Sequence, residues 1–155
     1  MVEYSKFRNK NRGYMKLEVW QKSIELLRLI SKIVYSEIKI DFKLRAQSVD
    51  AAQSISSNVA EGYCRRSIHE YIQFLYVALG SMGETLTRAI GLLEIGKITN
   101  EQFTQIDVLH YEVENKLLKL VESLEKKRDS GGWINKISDE LEEYHILGSQ
   151  NSSTP

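Results

Sequence analysis

The sequence predicts an all-α protein, an antiparallel up-down four-helix bundle. Apolar residues recur at three- and four-residue spacing over four long segments, strand-like alternation is nearly absent, and proline occurs only as the last residue. With 155 residues and 17.9 kDa, the chain can bury one core. We therefore expect one bundle at residues 17–129, between a flexible basic arm (1–16) and a glycine-linked short amphipathic helix with a polar tail (130–155).

The arm has no periodicity and interleaves aromatic with basic side chains. Five basic residues stand against one acid, Glu3. Rings beside cations are the groups that stack on unpaired bases and contact phosphates, so nucleic-acid binding is one hypothesis. The other is a terminus whose charge only keeps the chain soluble. The basic residues are Lys6, Arg8, Lys10, Arg12 and Lys16, and the rings are Tyr4, Phe7 and Tyr14.

The first helix is predicted over residues 18–37 and the second over 42–61. The stripe expected to face the core of the first helix is Trp20, Ile24, Leu27, Ile30 and Val34. A second apolar stripe beside it makes the apolar face wider than one helix–helix contact in a bundle needs. The second helix is rich in alanine and serine, which predicts close packing at the centre of the bundle. Gly62 is expected to end it as a left-handed cap.

The third helix is predicted from Ile68 to about Leu93, because apolar residues follow a heptad seam without a break. Ser67 and Glu70 form a capping box at its start, and Gly96 is its expected stop. Three glycines lie inside it, and each costs about 1 kcal/mol relative to alanine. We expect such a cost only where another backbone comes close. The three are Gly80, Gly83 and Gly91.

The fourth helix is predicted to begin at a capping box of Thr99 and Gln102 and to end near Arg128, where basic residues suit the helix dipole. Two glycines then interrupt the chain before a short amphipathic segment, Trp133 to Tyr144. This segment could fold back on the bundle or dock on a partner, and the residues do not decide between the two.

Composition and spacing argue against several functions. Net charge is zero overall but the ends are polarised, so only a local polyanion site is expected. A lone cysteine and the absence of a signal peptide or membrane span favour the cytoplasm. The spacing of Cys64, His69 and Glu70 fits no metal site or catalytic set, so we predict no enzyme, no cofactor and no metal. Asn58 and Glu61 are expected to satisfy backbone groups at the turn.

Several motifs resemble the four-helix bundle proteins encoded in 23S rRNA intervening sequences. They are Leu17-Glu18-Val19-Trp20-Gln21-Lys22, Ser54-Ile55, Asn58-Val59-Ala60-Glu61-Gly62-Tyr63, Arg65-Arg66-Ser67 and Leu79-Gly80-Ser81 with Glu84. The resemblance covers about Leu17 to Leu124. It implies a ring-like homopentamer and kinship with accessory proteins of diversity-generating retroelements, which bind nucleic acid beside a reverse transcriptase. Asp50 departs from the usual basic residue and Ser56 from a frequent proline, and the first change weakens a nucleic-acid site on that face.

Two functional hypotheses follow. In the first, the protein is a cytoplasmic, non-enzymatic homo-oligomer, expected to be a pentamer, that binds RNA or DNA. A reverse transcriptase is a possible partner, and no membrane contact is expected. The protein's binding residues are Arg65, Arg66, Arg45, Lys6, Arg8, Lys10 and Arg12. In the second, the protein is a scaffold without a nucleic-acid ligand. In both, the copies meet through Leu26, Leu29, Ile33, Tyr71 and Phe74.

Overall fold

A computed structural model describes residues 4–131, in which a short 3-10 helix precedes four α-helices. The 3-10 helix is Lys10–Lys16, and the α-helices are α1 (Glu18–Ser36), α2 (Phe42–Tyr63), α3 (Ile68–Glu94) and α4 (Asn100–Asp129). These residues form no strand, so the prediction of an all-helical bundle is confirmed. The predicted amphipathic segment Trp133 to Tyr144 lies outside the described residues.

Each α-helix packs against two others, since α1 and α3 both contact α2 and α4. The apolar residues between them form one core, and the side chains closest to its centre are entirely shielded from solvent. Burial of this kind is what stabilises the bundle. The largest shielded apolar side chains are Leu26, Ile40, Ile55, Leu75, Met82, Ile106 and Leu117.

Most helix ends show the predicted caps, but the capping box predicted for Ser67 and Glu70 is only half formed. The Glu70 carboxylate accepts a hydrogen bond from the Ser67 hydroxyl at 2.9 Å and not from the Ser67 backbone N–H. Ser67 Oγ accepts a hydrogen bond from the backbone N–H of Glu70 at 3.1 Å and opens α3. Thr99 and Gln102 form a full capping box at the start of α4, because each side chain accepts from the other residue's backbone N–H. Gly96 has a positive φ of 68° just beyond α3, as expected for a left-handed stop.

The prediction for Gly62 is wrong. Among the described residues, only Gly96 and Gly131 have a positive φ, while Gly62 lies inside α2, one residue before its end. A Cβ at Gly62 would lie 2.9 Å from both Phe74 Cβ and Tyr71 Cδ2 on α3. Gly62 is therefore needed because α3 passes so close, which agrees with the tight packing predicted for α2.

The choice of core face on α1 also differs from the prediction. Its buried residues are Val19, Ser23, Leu26, Ile30, Ile33 and Val34, whereas Trp20 and Leu27 are only partly buried.

Leu26, Ile33 and Tyr71 are at most 5% exposed, so they cannot contact a second copy without unfolding, and their assignment to an oligomer interface is wrong. For α1, the reason is that it packs against both α2 and α4 and therefore needs a wide apolar face. Leu29 packs at the edge of the same core.

The glycines of α3 also behave differently from the prediction. Gly80, Gly83 and Gly91 are exposed, and a Cβ built on any of them meets nothing within 4 Å. No backbone within the described part of the chain approaches them. The expected close contact is therefore absent from the folded chain itself.

The last part of the arm is more regular than predicted. Residues 10–16 form the 3-10 helix, which contacts both α1 and α2. A Cβ at Gly13 would overlap the hydroxyl oxygen of Tyr63, so this turn lies directly on the end of α2. Rings continue the contact, with Tyr14 edge-on to Trp20 at 5.4 Å and to Tyr63 at 6.3 Å between centroids. Aromatic packing, which periodicity does not reveal, orders the segment.

Candidate nucleic-acid interface

Three segments that are distant in sequence meet at one end of the bundle. Cys64 Sγ, just after α2, donates a hydrogen bond to the backbone oxygen of Asn11 at 3.3 Å, which joins the α2–α3 connection to the arm. The Tyr76 hydroxyl on α3 donates to Glu125 near the end of α4. Lys116 on α4 is 2.8 Å from Glu18 at the start of α1. We call this region, residues 4–18, 61–76 and 116–131, the basic end.

Positive charge is concentrated there. The basic end carries twelve basic and six acidic residues, whereas the other described residues carry eight basic and ten acidic ones. A chain with no net charge thus has a strongly positive pole. Its basic residues are Lys6, Arg8, Lys10, Arg12, Lys16, Arg65, Arg66, Lys116, Lys119, Lys126, Lys127 and Arg128.

The two arginines of the α2–α3 connection differ in their surroundings. Arg65 donates to Glu61 at 2.6 Å, lies 4.0 Å from Glu70, and places its guanidinium 4.6 Å from the centroid of the Phe74 ring. Its charge is therefore largely balanced and its position held. Arg66 is exposed and has no ion-pair partner among residues 4–131. Of this predicted pair, Arg66 is the residue open to an external phosphate.

The last turns of α4 add cations that the sequence had not assigned to the site. Lys126 lies 2.7 Å from Glu122, and this hydrogen bond lowers the pKa of the Glu122 carboxyl. Arg128 donates to Asp129 at 3.0 Å, which raises the pKa of the guanidinium. The sequence showed the basic run 126–128 but indicated only a favourable helix dipole. Only the packing of α4 against α3, seen in the hydrogen bond from Tyr76 to Glu125, places this run at the same end of the bundle as Arg66.

Arg45, in contrast, does not belong to this group. It lies in the first turn of α2, 18 residues before Tyr63 and so about 27 Å away along the helix. Its Nη2 donates to the backbone oxygens of Glu37 at 3.1 Å and Ile38 at 3.3 Å, just beyond α1. Its guanidinium also lies 5.7 Å from the ring of Tyr35. Arg45 is held in the α1–α2 connection, at the opposite end of the bundle from the other predicted cations.

Other polar residues near the turn have structural partners. Asn58 donates to the backbone oxygen of Ser54 at 2.7 Å and to its hydroxyl at 3.0 Å, one turn back in α2. The expectation that Asn58 satisfies the backbone of the turn is therefore wrong, and Glu61 instead holds Arg65. Over residues 4–131, no group of three His, Cys, Asp or Glu residues could hold a metal ion. None of the described helices is long and apolar enough to cross a membrane.

A family comparison matches residues 15–119 to the 23S rRNA-intervening sequence proteins. The chain belongs to this family. A crystal structure of a protein with unknown function from the S23 ribosomal protein family of Bacteroides thetaiotaomicron is similar to it, with 27% sequence identity and a TM-score of 0.61. That similarity covers 66% of this chain and 97% of the Bacteroides chain. No curated protein matches.

The family membership predicted from the sequence is thus confirmed. The matched region includes the α2–α3 connection but begins at residue 15 and ends at 119. Most of the arm and the basic run at 126–128 therefore lie outside it. The match thus covers most of the bundle, but about half of the cations at the basic end lie outside the matched residues.

Proposed function

We propose that this protein is a non-enzymatic nucleic-acid-binding protein that acts as a homo-oligomer and contacts phosphates through the basic end. The observation that carries the proposal is the separation of charge, with twelve cations against six acids at one end of an otherwise slightly acidic bundle. Nucleic acid is the polyanion that such a pole attracts, because each neutralised phosphate releases a condensed counterion. The name of the family, 23S rRNA-intervening sequence protein, also connects it with RNA.

Repetition of the basic end would strengthen weak contacts. One Arg66 or Lys6 in water contributes little, but several copies linked in one assembly bind with raised effective concentration. Five copies is the number that the family resemblance implies, and a reverse-transcriptase particle is the setting that it suggests. A cytoplasmic location belongs to the same proposal.

Salt-dependent binding tests this proposal. Fluorescence anisotropy with a labelled 20-nucleotide RNA is measured at 50 and 200 mM salt, and we expect the affinity to fall by at least tenfold between them. Arg66→Glu combined with Lys6→Glu should weaken binding by a further tenfold or more at the lower salt. Lys39→Glu combined with Lys43→Glu, at the opposite end, is the matched control and should bind like the wild type. Undetectable binding of the wild type at 50 mM salt would refute the proposal.

A second candidate function, a scaffold without nucleic acid, has one specific observation in its favour. The outer face of α3 carries a heptad-spaced stripe from Tyr76 to Ile90, and α4 exposes three apolar residues. Exposed glycines in this stripe each cost about 1 kcal/mol and meet nothing within the described chain, which suits the close approach of another helix. The α3 stripe is Tyr76, Gly80, Gly83, Thr87 and Ile90, and the α4 residues are Val108, Tyr111 and Leu118.

Sedimentation velocity tests whether copies associate through this face. Tyr111→Glu with Leu118→Glu changes side chains that are 65% and 49% exposed, so the bundle should still fold. We expect the wild type to sediment as an oligomer and this variant as a 17.9 kDa monomer. Ile38→Glu, at a residue that is 94% exposed in the α1–α2 connection, is the control and should not dissociate. A monomeric wild type would rule out association on either account of the function.

A further inference from the structure

One phenylalanine of the arm is presented to solvent within a group of arginines. Phe7 is 76% exposed, while residues on both sides of it form hydrogen bonds within the arm. Arg12 Nη1 donates to Ser5 Oγ at 2.9 Å and to the Phe7 carbonyl oxygen at 3.4 Å. Arg8 donates to the carbonyl oxygens of both Ser5 and Phe7. The backbone around Phe7 is thus folded into a knuckle, residues 5–8, which is closed by two guanidinium groups.

The knuckle is anchored to the bundle on both sides. Before it, the Tyr4 ring lies edge-on to Trp20 of α1, with 5.0 Å between centroids. After it, the 3-10 helix seats Tyr14 against Trp20 and Tyr63. These rings pack on the bundle, whereas Phe7 points its ring outward, with the guanidinium of Arg12 6.0 Å from the ring centroid. A ring held in this way would lose little conformational freedom on meeting a flat partner.

We propose that Phe7 stacks on an unpaired base of a single-stranded nucleic acid while Arg8 and Arg12 contact its phosphates. This inference rests on the proposed function and adds the class of ligand. A duplex offers phosphates but hides the faces of its bases, whereas a single strand offers both. Stacking on an aromatic ring accepts any base, so the site recognises the lack of pairing and not a sequence.

Three probes that carry similar charge separate stacking from phosphate contact. They are a 20-nucleotide single-stranded thymidine oligomer, an abasic oligomer of the same length, and a 10-base-pair duplex, each titrated with the full chain at 50 mM salt. We expect the thymidine oligomer to bind about tenfold more tightly than the abasic one, which corresponds to about 1.4 kcal/mol. Phe7→Ala should remove this preference and leave the abasic affinity and its salt dependence unchanged. Phe7→Trp should restore it.

Phe42 provides a matched control, since it is also 76% exposed but lies at the opposite end of the bundle. Phe42→Ala should keep the tenfold preference. The stacking site is overturned if the wild type binds the thymidine and abasic oligomers equally, or if the preference survives Phe7→Ala. In either case, salt-sensitive binding to the probes would still support the proposed function. No binding to any of the three probes refutes both.

Discussion

Replacing Gly62 with alanine tests the account of how α2 and α3 pack. A Cβ at this position would lie 2.9 Å from Phe74 Cβ, 2.9 Å from Tyr71 Cδ2 and 3.1 Å from the Tyr71 carbonyl oxygen. Carbon atoms in contact are normally at least about 3.5 Å apart, and one of these neighbours is backbone that cannot rotate away. The two helices must therefore move apart where they are held most closely.

The magnitude follows from two opposing effects. Alanine favours the helix by at most about 1 kcal/mol, and by less near a helix end such as this. Adding a methyl group to a filled interface costs about 1–3 kcal/mol. We expect Gly62→Ala to lower the free energy of unfolding by about 1–2 kcal/mol. Gly91→Ala is the matched control, because its Cβ would meet nothing within 4 Å and it lies outside the exposed α3 stripe, and it should raise the same free energy by up to about 1 kcal/mol.

Urea unfolding followed by helical circular dichroism measures both variants against the wild type. Equal m-values would show that the changes report on stability. The series is repeated over a tenfold range of protein concentration, because association through the α3 face would make the midpoint depend on concentration. If Gly62→Ala proves as stable as Gly91→Ala, the close approach of α3 does not explain the glycine.

Three further predictions concern the caps, the ion pairs and the arm. Thr99→Ala removes one half of the capping box and should cost about 1 kcal/mol in urea unfolding; an unchanged midpoint would contradict this. The Lys116 ammonium lowers the pKa of the Glu18 carboxyl, so this pair contributes above the ordinary value of 4.5 and loses its contribution as the pH falls through the lowered pKa. Glu18→Gln should therefore lower the melting temperature slightly at pH 7, and this decrease should shrink as the pH falls below 4.5. A decrease of the same size at every acidic pH would count against it. Gly13→Ala forces the Tyr63 ring from its place, and trypsin should then cut the arm faster than in the wild type; equal rates would show that the turn tolerates a side chain.

The four long helices and most of their caps, though not the one expected at Gly62, were predictable because their causes are local. A 3.6-residue period and hydrogen bonds between residues three apart, as at Ser67 and Thr99, lie within a few residues of each other. The predicted start of α3 at Ile68 and its stop at Gly96 agree with the structure for this reason.

The candidate site was predictable only in part. The arm and the loop arginines were found as basic clusters, but their meeting depends on contacts such as Cys64 with Asn11, which no spacing reveals. Arg45 was assigned to the wrong place because a basic residue in a sequence has no position until the chain is folded. The cations of the last turn of α4 were missed because their nearest explanation was the helix dipole.

By itself, the sequence determined the four long helices, roughly where they begin and end, and which family the chain belongs to. The tertiary structure decided which stripe of α1 is the core, why α2 needs Gly62, and which cations share one end. Local backbone preferences depend on neighbours in the chain, whereas the choice between two apolar faces, or the gathering of charge, depends on segments brought together from far apart.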